Sequence, residues 1–209
     1  MPWAEVIKPS GVKWFHVVPS VRHPRRCEKA GVDAIIASGH DAGYHVAWEP
    51  VHTMVLLPAV VNAVKTPVIA AGGFCDGATL AAALALGSIG VQMGTRFLAT
   101  KESDFVQMWK DQILKSGDRD TVVARGLVGP ARYLRNEASR ELVEITVNRA
   151  PGLYLGQPDD MMTLDPEVLL IELEGIAAAF ATDEKKALMA GGEVVGRIED
   201  LPTVGGAGG

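Results

Sequence analysis

Short apolar runs alternate with segments of helical spacing over the first half of the chain. Each run is rich in Val, Ile and Ala and is followed by Pro, Ser or Gly, which is typical of buried strands. These predicted strands are 12–18, 32–37, 67–71 and 89–93. The segments between them, 22–30, 53–65 and 78–86, have the spacing and end signals of helices. Strands that are apolar on both faces and alternate with helices predict an α/β fold with a covered parallel sheet.

The second half of the chain is less regular and predicts mainly helices. Amphipathic spacing is present at 104–116, 137–147 and 166–182, whereas 151–162 is expected to be a loop. The last residues, GGAGG at 205–209, are expected to form a flexible tail. We therefore expect one domain, 1–204, with its strands within about 12–95 and a helical region at about 101–204.

The composition changes this picture by excluding several classes of protein. Hydrophobic residues make up 48% and charged residues 22%, which is enough apolar material for a core and excludes general disorder. The net charge of −5 predicts neither nucleic-acid nor anionic-membrane binding. The sequence contains no run of about 18 apolar residues, so we predict no membrane-spanning helix. Cys27 and Cys75 form no disulfide or metal pattern, so we expect reduced thiols and a cytoplasmic location.

Small and polar residues follow the predicted strands. Gly72–Gly73 follows the third strand and Gly94–Thr95 follows the fourth, so bare backbone N–H groups and one hydroxyl are available to an anion. Asp76 is expected to cap the next helix, whose dipole would add positive potential. Adjacent strand ends of this kind form the usual phosphate site of a (β/α)8 barrel. The alternative is that both turns need glycine only for a positive φ angle.

Histidine is the main candidate for proton transfer. His45 lies in a glycine-containing loop after the second predicted strand, and the ordinary pKa of an imidazole suits proton transfer or anion stabilisation. His40 and His52 share that loop and are equally eligible on chemistry alone. A histidine in a loop is also often a surface residue without a catalytic role.

Other chemistries are disfavoured by their spacing. The loop contains several potential metal ligands but no HExxH or CxxC pattern, so we predict no metal site. Ser20 and Ser38 are not in a G-x-S-x-G motif, which disfavours a serine hydrolase. Cys75 is interpreted as a small apolar filler. We interpret four basic residues as a solvated helix face and not as a ligand clamp: Arg119, Arg125, Arg132 and Arg135.

Three segments resemble the nitronate monooxygenase (2-nitropropane dioxygenase) family and the related flavin-dependent enoyl-acyl-carrier-protein reductases. The most specific is 66–100, TPVIAAGGFCDGATLAAALALGSIGVQMGTRFLAT. The loop 38–45, SGHDAGYH, resembles the family's E-x-G-G-H loop, and 189–204, MAGGEVVGRIEDLPTV, resembles its C-terminal block. The resemblance covers about residues 11–204 and implies a TIM (β/α)8 barrel that binds FMN.

This resemblance also implies roles for residues and a reaction class. The FMN phosphate would be bound by Gly72, Gly73, Gly94 and Thr95, and the flavin ring or ribityl chain would be approached by Ser20 and Gly39. His45 would be the active-site histidine. The substrate would be a small molecule. It would be either an alkyl nitronate oxidised with O2 to a carbonyl compound and nitrite, or an enoyl thioester reduced with NAD(P)H.

The chain departs from the family pattern beside the histidine. Tyr44 stands where the family loop has glycine, and its bulk and phenol are expected to narrow the substrate range. Ala47 also occupies a usual glycine position, and Gly192 stands where the family has Gln. These departures leave the substrate open between the two classes.

Set against the family, the sequence begins just before the fifth strand of the barrel. It would therefore contain only the second half, which is four β/α units followed by the helical region. We expect a truncated sequence, a partner that supplies the other half, or two copies that close a barrel. A non-catalytic half-barrel is one alternative. A phosphate-binding isomerase or aldolase is another, although no lysine or carboxylate follows the four predicted strands.

Overall fold

A computed structural model describes residues 3–126, 129–149 and 166–207. Its strands are β1 (Phe15–Val18), β2 (Ala34–Ser38), β3 (Tyr44–His45), β4 (Val68–Ala71), β5 (Val91–Gln92), β6 (Thr121–Gly126) and β7 (Gly129–Leu134). Its helices are α1 (Ala4–Ile7), α2 (Pro24–Ala30), α3 (Thr53–Ala63), α4 (Gly77–Ala85), α5 (Thr95–Leu98), α6 (Gln107–Lys115), α7 (Glu137–Arg149) and α8 (Pro166–Phe180). Short 3₁₀ turns lie at Lys8–Ser10, Glu193–Arg197 and Val204–Gly206.

The four strands predicted in the first half form one parallel sheet in the order β1-β2-β4-β5. Residues of β2 and β4 are buried because helices pack against them, and Ile35, Leu57 and Val60 belong to the same buried cluster. This confirms the predicted α/β fold with a parallel sheet. The order also places the ends of β2, β4 and β5 side by side, which is the condition for a shared site at the carboxyl edge.

Local interactions explain where two of the predicted helices begin or end. Asp76 accepts a hydrogen bond from the backbone N–H of Thr79 at 2.8 Å, and a capping box begins α4 as predicted. Gly31 (φ +77°) ends α2, and its N–H donates to carbonyls of that helix. A side chain would be strained at this φ angle, so glycine suits the position.

A second, antiparallel sheet joins two strands of the back half to β3 and is not predicted by the sequence pattern. Its order is β3-β7-β6, and β6 pairs with β7 along six residues, from Thr121 with Leu134 to Gly126 with Gly129. Every residue of β7 is buried, and a core cluster containing Tyr133 and Leu142 joins this sheet to α7 and α8. The region from 101 to 204 therefore contributes two strands of a sheet in addition to the three predicted helices.

The prediction that four arginines form a solvated helix face is wrong. Arg125 and Arg132 lie on β6 and β7, while Arg119 and Arg135 lie just outside these strands. The side chain of Arg132 is only 6% exposed. Its burial is possible because an ion pair and a carbonyl oxygen balance its charge.

Three further expectations concern the remaining segments. The predicted loop 151–162 lies outside the described residues. Part of the predicted flexible tail is ordered, since Val204–Gly206 forms a 3₁₀ turn and Ala207 is buried, while 208–209 are not described. Within the described residues, no helix combines the length and the apolar character needed to cross a bilayer.

The parallel sheet has two outer strands without a further pairing strand among the described residues, β1 and β5. Along β1, Phe15 and Val17 lie two positions apart on one face and are 54% and 51% exposed. Apolar side chains of an edge strand are therefore open on one side of the sheet.

Candidate active site

A cavity of about 410 Å³ opens at the carboxyl ends of the parallel strands. This volume lies within the range of about 300–1,000 Å³ that is typical of ligand pockets. Its wall comes from the ends of β2, β4 and β5, from the loop that carries β3, and from the segment before the 3₁₀ turn at Glu193. The polar or uncovered groups in the wall include Ser38, Asp41, His45, Gly72, Gly73, Gly94, Thr95, Gly191 and Gly192.

Five of the seven predicted site residues line this one cavity: His45, Gly72, Gly73, Gly94 and Thr95. The other two are placed differently. Ser20 follows β1, and its hydroxyl lies 3.1 Å from the ring nitrogen Nδ1 of His23. Gly39 is buried beside α3, where a Cβ atom would lie 2.0 Å from Oγ1 of Thr53. Contact of Ser20 and Gly39 with a flavin stays a prediction.

The glycine turns present uncovered backbone to the cavity. Gly72 and Gly73 have φ angles of +90° and +85°, at which side chains are strained. A Cβ atom on Gly94 would meet no other atom within 4 Å, so this turn faces open space. Thr95 accepts a hydrogen bond from the N–H of Gly192 at 2.9 Å, and its own hydroxyl proton remains to be donated. The arrangement suits an anionic group such as a phosphate, because side chains at these turns would block its approach to the backbone N–H groups.

The helix dipole of α4 contributes less to this site than the sequence suggests. Its first turn is already satisfied by the Asp76 carboxylate, which also pairs with Arg197 at 2.6 Å. Arg96, the residue after Thr95, directs its guanidinium group to Asp200 and to backbone carbonyls. Backbone N–H groups and the Thr95 hydroxyl are therefore the donors that the two glycine turns offer to an anion.

Asp41 fixes the loop that carries the candidate histidine. Its carboxylate accepts hydrogen bonds from the backbone N–H and the hydroxyl of Thr53, both at 2.7 Å, and from Nδ1 of His52 at 2.9 Å. Burial tends to raise the pKa of Asp41, but the hydrogen bonds from Thr53 and His52 outweigh it and hold the pKa below its ordinary value. The loop is thereby attached to the first turn of α3.

Arg132 fixes the same loop from the second sheet. Its guanidinium group donates to the carbonyl oxygen of His40 and pairs with Glu193, in both cases at 2.9 Å. Asp41, His52 and Glu193 bring potential metal ligands within 4.8 Å of one another. The adjacent cation and the hydrogen bonds already made by Asp41 disfavour a metal ion there.

The structure separates the three histidines that the sequence leaves equivalent. His40 is buried, and burial together with the charges of Arg132 and His52 lowers its pKa to about 4. His52 is bonded to Asp41. His45 is the histidine that lines the cavity, at the end of β3 opposite Ala131. Partial burial lowers the pKa of His45 below its ordinary value, and the charge of Glu172 opposes this effect. A neutral imidazole is a suitable proton acceptor.

Sequence reasoning missed two parts of this site. Gly191 and Gly192 form a wall, and a Cβ atom on Gly43 would lie 2.7 Å from the backbone nitrogen of Gly192. Their signal is the glycine pair in the C-terminal block. Glu172 approaches from α8, where it is 1% exposed and accepts a hydrogen bond from the hydroxyl of Tyr133 at 2.5 Å. No local pattern around Glu172 indicates this contact.

Comparison with known proteins identifies several relatives of the chain. A Rhodococcus jostii protein named as a 5-hydroxy-7a-methyl-1-oxo-octahydro-1H-indene-4-carboxyl-CoA dehydrogenase is 34% identical over 228 residues, covering 94% of this chain and 63% of its own length. FabK from Thermotoga maritima superposes with a TM-score of 0.80 at 34% identity, over 97% of this chain and 61% of that one. A nitroalkane oxidase from Streptomyces ansochromogenes gives a TM-score of 0.74 at 32% identity, over 95% and 57%.

These relatives are longer than the chain, which spans between 57% and 63% of their length. The sequence model of the nitronate monooxygenase family matches residues 5–206. Since this match includes both glycine turns, the loop of His45 and the C-terminal wall, the chain belongs to the nitronate monooxygenase family.

Proposed function

We propose that this chain binds the phosphate of FMN and forms part of an FMN-dependent oxidoreductase that converts alkyl nitronates and O2 into carbonyl compounds and nitrite. The observation that carries the proposal is the convergence of the Gly72–Gly73 and Gly94–Thr95 turns on the cavity that His45 lines. Family membership supports the reaction class.

In this proposal, FMN would supply the redox chemistry when bound, taking electrons from the substrate and passing them to O2, and residues of the chain would bind it and contact the substrate. Backbone N–H groups at Gly73 and Gly94 and the hydroxyl of Thr95 would hold its phosphate. Ser20 and Gly39 are proposed to approach the ring or the ribityl chain. Because a nitronate is already deprotonated at carbon, His45 would stabilise the negative charge of the bound nitronate through a ring N–H.

Binding of FMN compared with riboflavin tests the phosphate site directly. The two flavins share the ring and the ribityl chain, so a difference in affinity reports the phosphate alone. We expect the purified chain to bind FMN at least about tenfold more tightly than riboflavin, because charge-assisted hydrogen bonds contribute about 1.5–3 kcal/mol each. Equal affinities, or no quenching of flavin fluorescence by the protein, would reject the proposal.

We also propose that the four parallel strands belong to a (β/α)8 barrel whose remaining strands come from another segment, a partner or a second copy. Support comes from the outer strands β1 and β5, which have no further pairing strand among the described residues. The exposed face at Phe15 and Val17 supports the same view. Covering this face would also enclose the cavity, since Val17 lines it. A cytoplasmic location remains part of the proposal.

Redox chemistry on a thioester is the second candidate function. It is favoured by the Rhodococcus relative, which is named as a dehydrogenase of a carboxyl-CoA compound. Anaerobic mixing of the flavin-loaded protein with NADH distinguishes the two. Rapid bleaching of the flavin, reversed by an enoyl thioester, favours the thioester enzyme. Bleaching by a nitronate but not by NADH favours the nitronate enzyme.

A further inference from the structure

Three side chains connect His45 to the second sheet and to α8: Tyr44, Tyr133 and Glu172. The rings of Tyr44 and His45 are 4.2 Å apart between centroids, and both residues line the cavity. On its other side, the ring of Tyr44 makes an edge contact with Tyr133 at 6.1 Å. Tyr133 donates a hydrogen bond of 2.5 Å to the carboxylate of Glu172, which is 1% exposed. The contacts thus run from the core of α8 to the cavity wall.

The backbone at Tyr44 is strained in a way that needs an explanation. Its φ angle is +58°, and Thr182 is the other non-glycine residue with a positive φ among the residues that the structure describes. Side chains other than glycine and Asn rarely adopt this conformation. Such strain persists when the surroundings fix the residue, and it is concentrated at functional sites. Here the surroundings that fix Tyr44 include its two ring contacts and its pairing with Arg132 of β7.

We propose that Tyr44 is a positioning residue, held by the Tyr133–Glu172 pair, that fixes the imidazole of His45 in the cavity wall. This deepens the proposed function, because it rests on His45 acting on the substrate. The ring of Tyr44 is the part that contacts His45, whereas its phenol is directed toward the carboxylate.

The electrostatics of the group agree with this geometry. Burial raises the pKa of the Tyr44 phenol, and the charge of Glu172 and a hydrogen bond with it raise the pKa further, so the phenol stays protonated. Burial lowers the pKa of His45, while the charge of Glu172 raises it. We therefore infer two opposite effects on His45: the ring of Tyr44 covers part of an otherwise exposed imidazole and favours its neutral form, whereas the charge of Glu172 favours its protonated form.

The test is the pKa of His45, measured by NMR on the full chain without flavin. Y44G accommodates the positive φ angle, so the backbone is expected to keep its fold. Removing the ring exposes His45 to water, and its pKa should rise toward the ordinary histidine value. Y44F keeps the ring and should leave the pKa of His45 close to that of the wild type. E172Q removes the charge and should lower it.

The proposal predicts that the pKa of His45 rises in Y44G and falls in E172Q, so the direction of each shift tests it. The signal of His45 is assigned from the spectrum of H45Q, and circular dichroism checks that each variant is folded. A His45 pKa that is the same in wild type, Y44G and E172Q would overturn the proposal, as would an equal shift in Y44F and Y44G.

Turnover of the flavin-loaded protein separates this inference from the function on which it rests. Y44G should lower kcat by about ten- to a hundredfold because the imidazole is no longer held in place. Y44F keeps the ring contact but loses the hydrogen bond with Glu172, so it should lower kcat less than Y44G does. If H45A leaves turnover unchanged, the proposed function is rejected. The NMR measurement does not depend on turnover and still tests whether Tyr44 contacts and positions His45. If H45A is inactive and Y44G keeps full kcat, the positioning role alone is rejected.

Discussion

At the scale of single residues, the backbone conformation of the turns after the strands explains why glycine is present there. Gly73 has a positive φ angle, and a Cβ atom there would lie 3.6 Å from Cβ of Asp41 in the cavity wall. A larger side chain would add to backbone strain and would project into the space proposed for the phosphate.

Gly73→Val is therefore expected to abolish FMN binding. Gly90→Val is the matched control, because a Cβ atom at Gly90 meets no atom within 4 Å and its φ is not positive. Flavin fluorescence titration should show no binding for the first variant and an affinity within about twofold of wild type for the second. FMN binding by both variants would show that the phosphate lies elsewhere.

The role of His45 is the second prediction at this scale. His45→Ala should reduce turnover by about two to four orders of magnitude, because a positioned group that transfers a proton or stabilises an anion contributes about that much. FMN should still bind, since the glycine turns are unchanged. His52→Ala serves as the comparison, as it removes an imidazole bonded to Asp41 from the same loop. Steady-state rates and flavin spectra of both variants check this, and equal losses in the two would contradict a special role for His45.

Residue type and position along the strands were sufficient to predict the glycines, Thr95 and His45 as one group, because parallel strands bring their ends together. Glu172 could not be predicted in the same way. It lies within an apolar helix sequence, and its partner Tyr133 is 39 residues away in the chain. Contacts of this kind depend on how elements pack, and local periodicity does not specify them.

At the scale of elements, the loop from 39 to 45 is held between two parts of the fold. Asp41 joins it to α3, and Arg132 of β7 donates to the carbonyl of His40. The parallel sheet was predictable because its strands are continuously apolar, although one face of β1 is exposed. Strand β7 was not, because it contains Pro130 and Arg132, and the partner that allows Arg132 to be buried, Glu193, lies far along the chain.

The attachment of this loop predicts a pH-dependent stability. The pKa of Asp41 is lowered in the folded state, so its contribution is complete above the ordinary Asp pKa and is lost as the pH falls through the lowered value. Asp41→Asn should reduce the free energy of unfolding at pH 7 by about 1–3 kcal/mol, through loss of charge-assisted hydrogen bonds. The difference from wild type should shrink in acid.

Urea unfolding at pH 7 and at pH 3 measures this effect. Glu49→Gln is the control from the same loop, since this carboxylate is 85% exposed and its nearest basic group, on Arg22, lies at 3.9 Å. It should change stability by less than about 0.5 kcal/mol at either pH. An Asp41→Asn effect that is equally large at both pH values would contradict the assigned cause.

At the scale of the whole molecule, the open side of the parallel sheet has consequences for association. Phe15 lies on the outer strand and is 54% exposed. An exposed apolar edge strand is a surface on which chains associate. We expect the purified chain to sediment as more than a monomer at micromolar concentration.

Phe15→Asp should shift this equilibrium toward the monomer, because a charge on the strand opposes burial. Val12→Asp is the control, since Val12 is 66% exposed but lies outside the strand. Sedimentation velocity over a range of concentrations compares the variants. A wild-type chain that remains monomeric throughout, or an equal effect of both substitutions, would show that this side of the sheet does not mediate association.

The hydrogen bond from Gly192 to Thr95 joins residues 97 positions apart in the chain. During synthesis on the ribosome, both glycine turns emerge long before the segment that completes their cavity. A flavin nucleotide that met the nascent polypeptide at that stage would find the turns but not the wall that encloses them. Retention of a nucleotide at the proposed site would therefore require Gly192 and its neighbours to have folded against the turns.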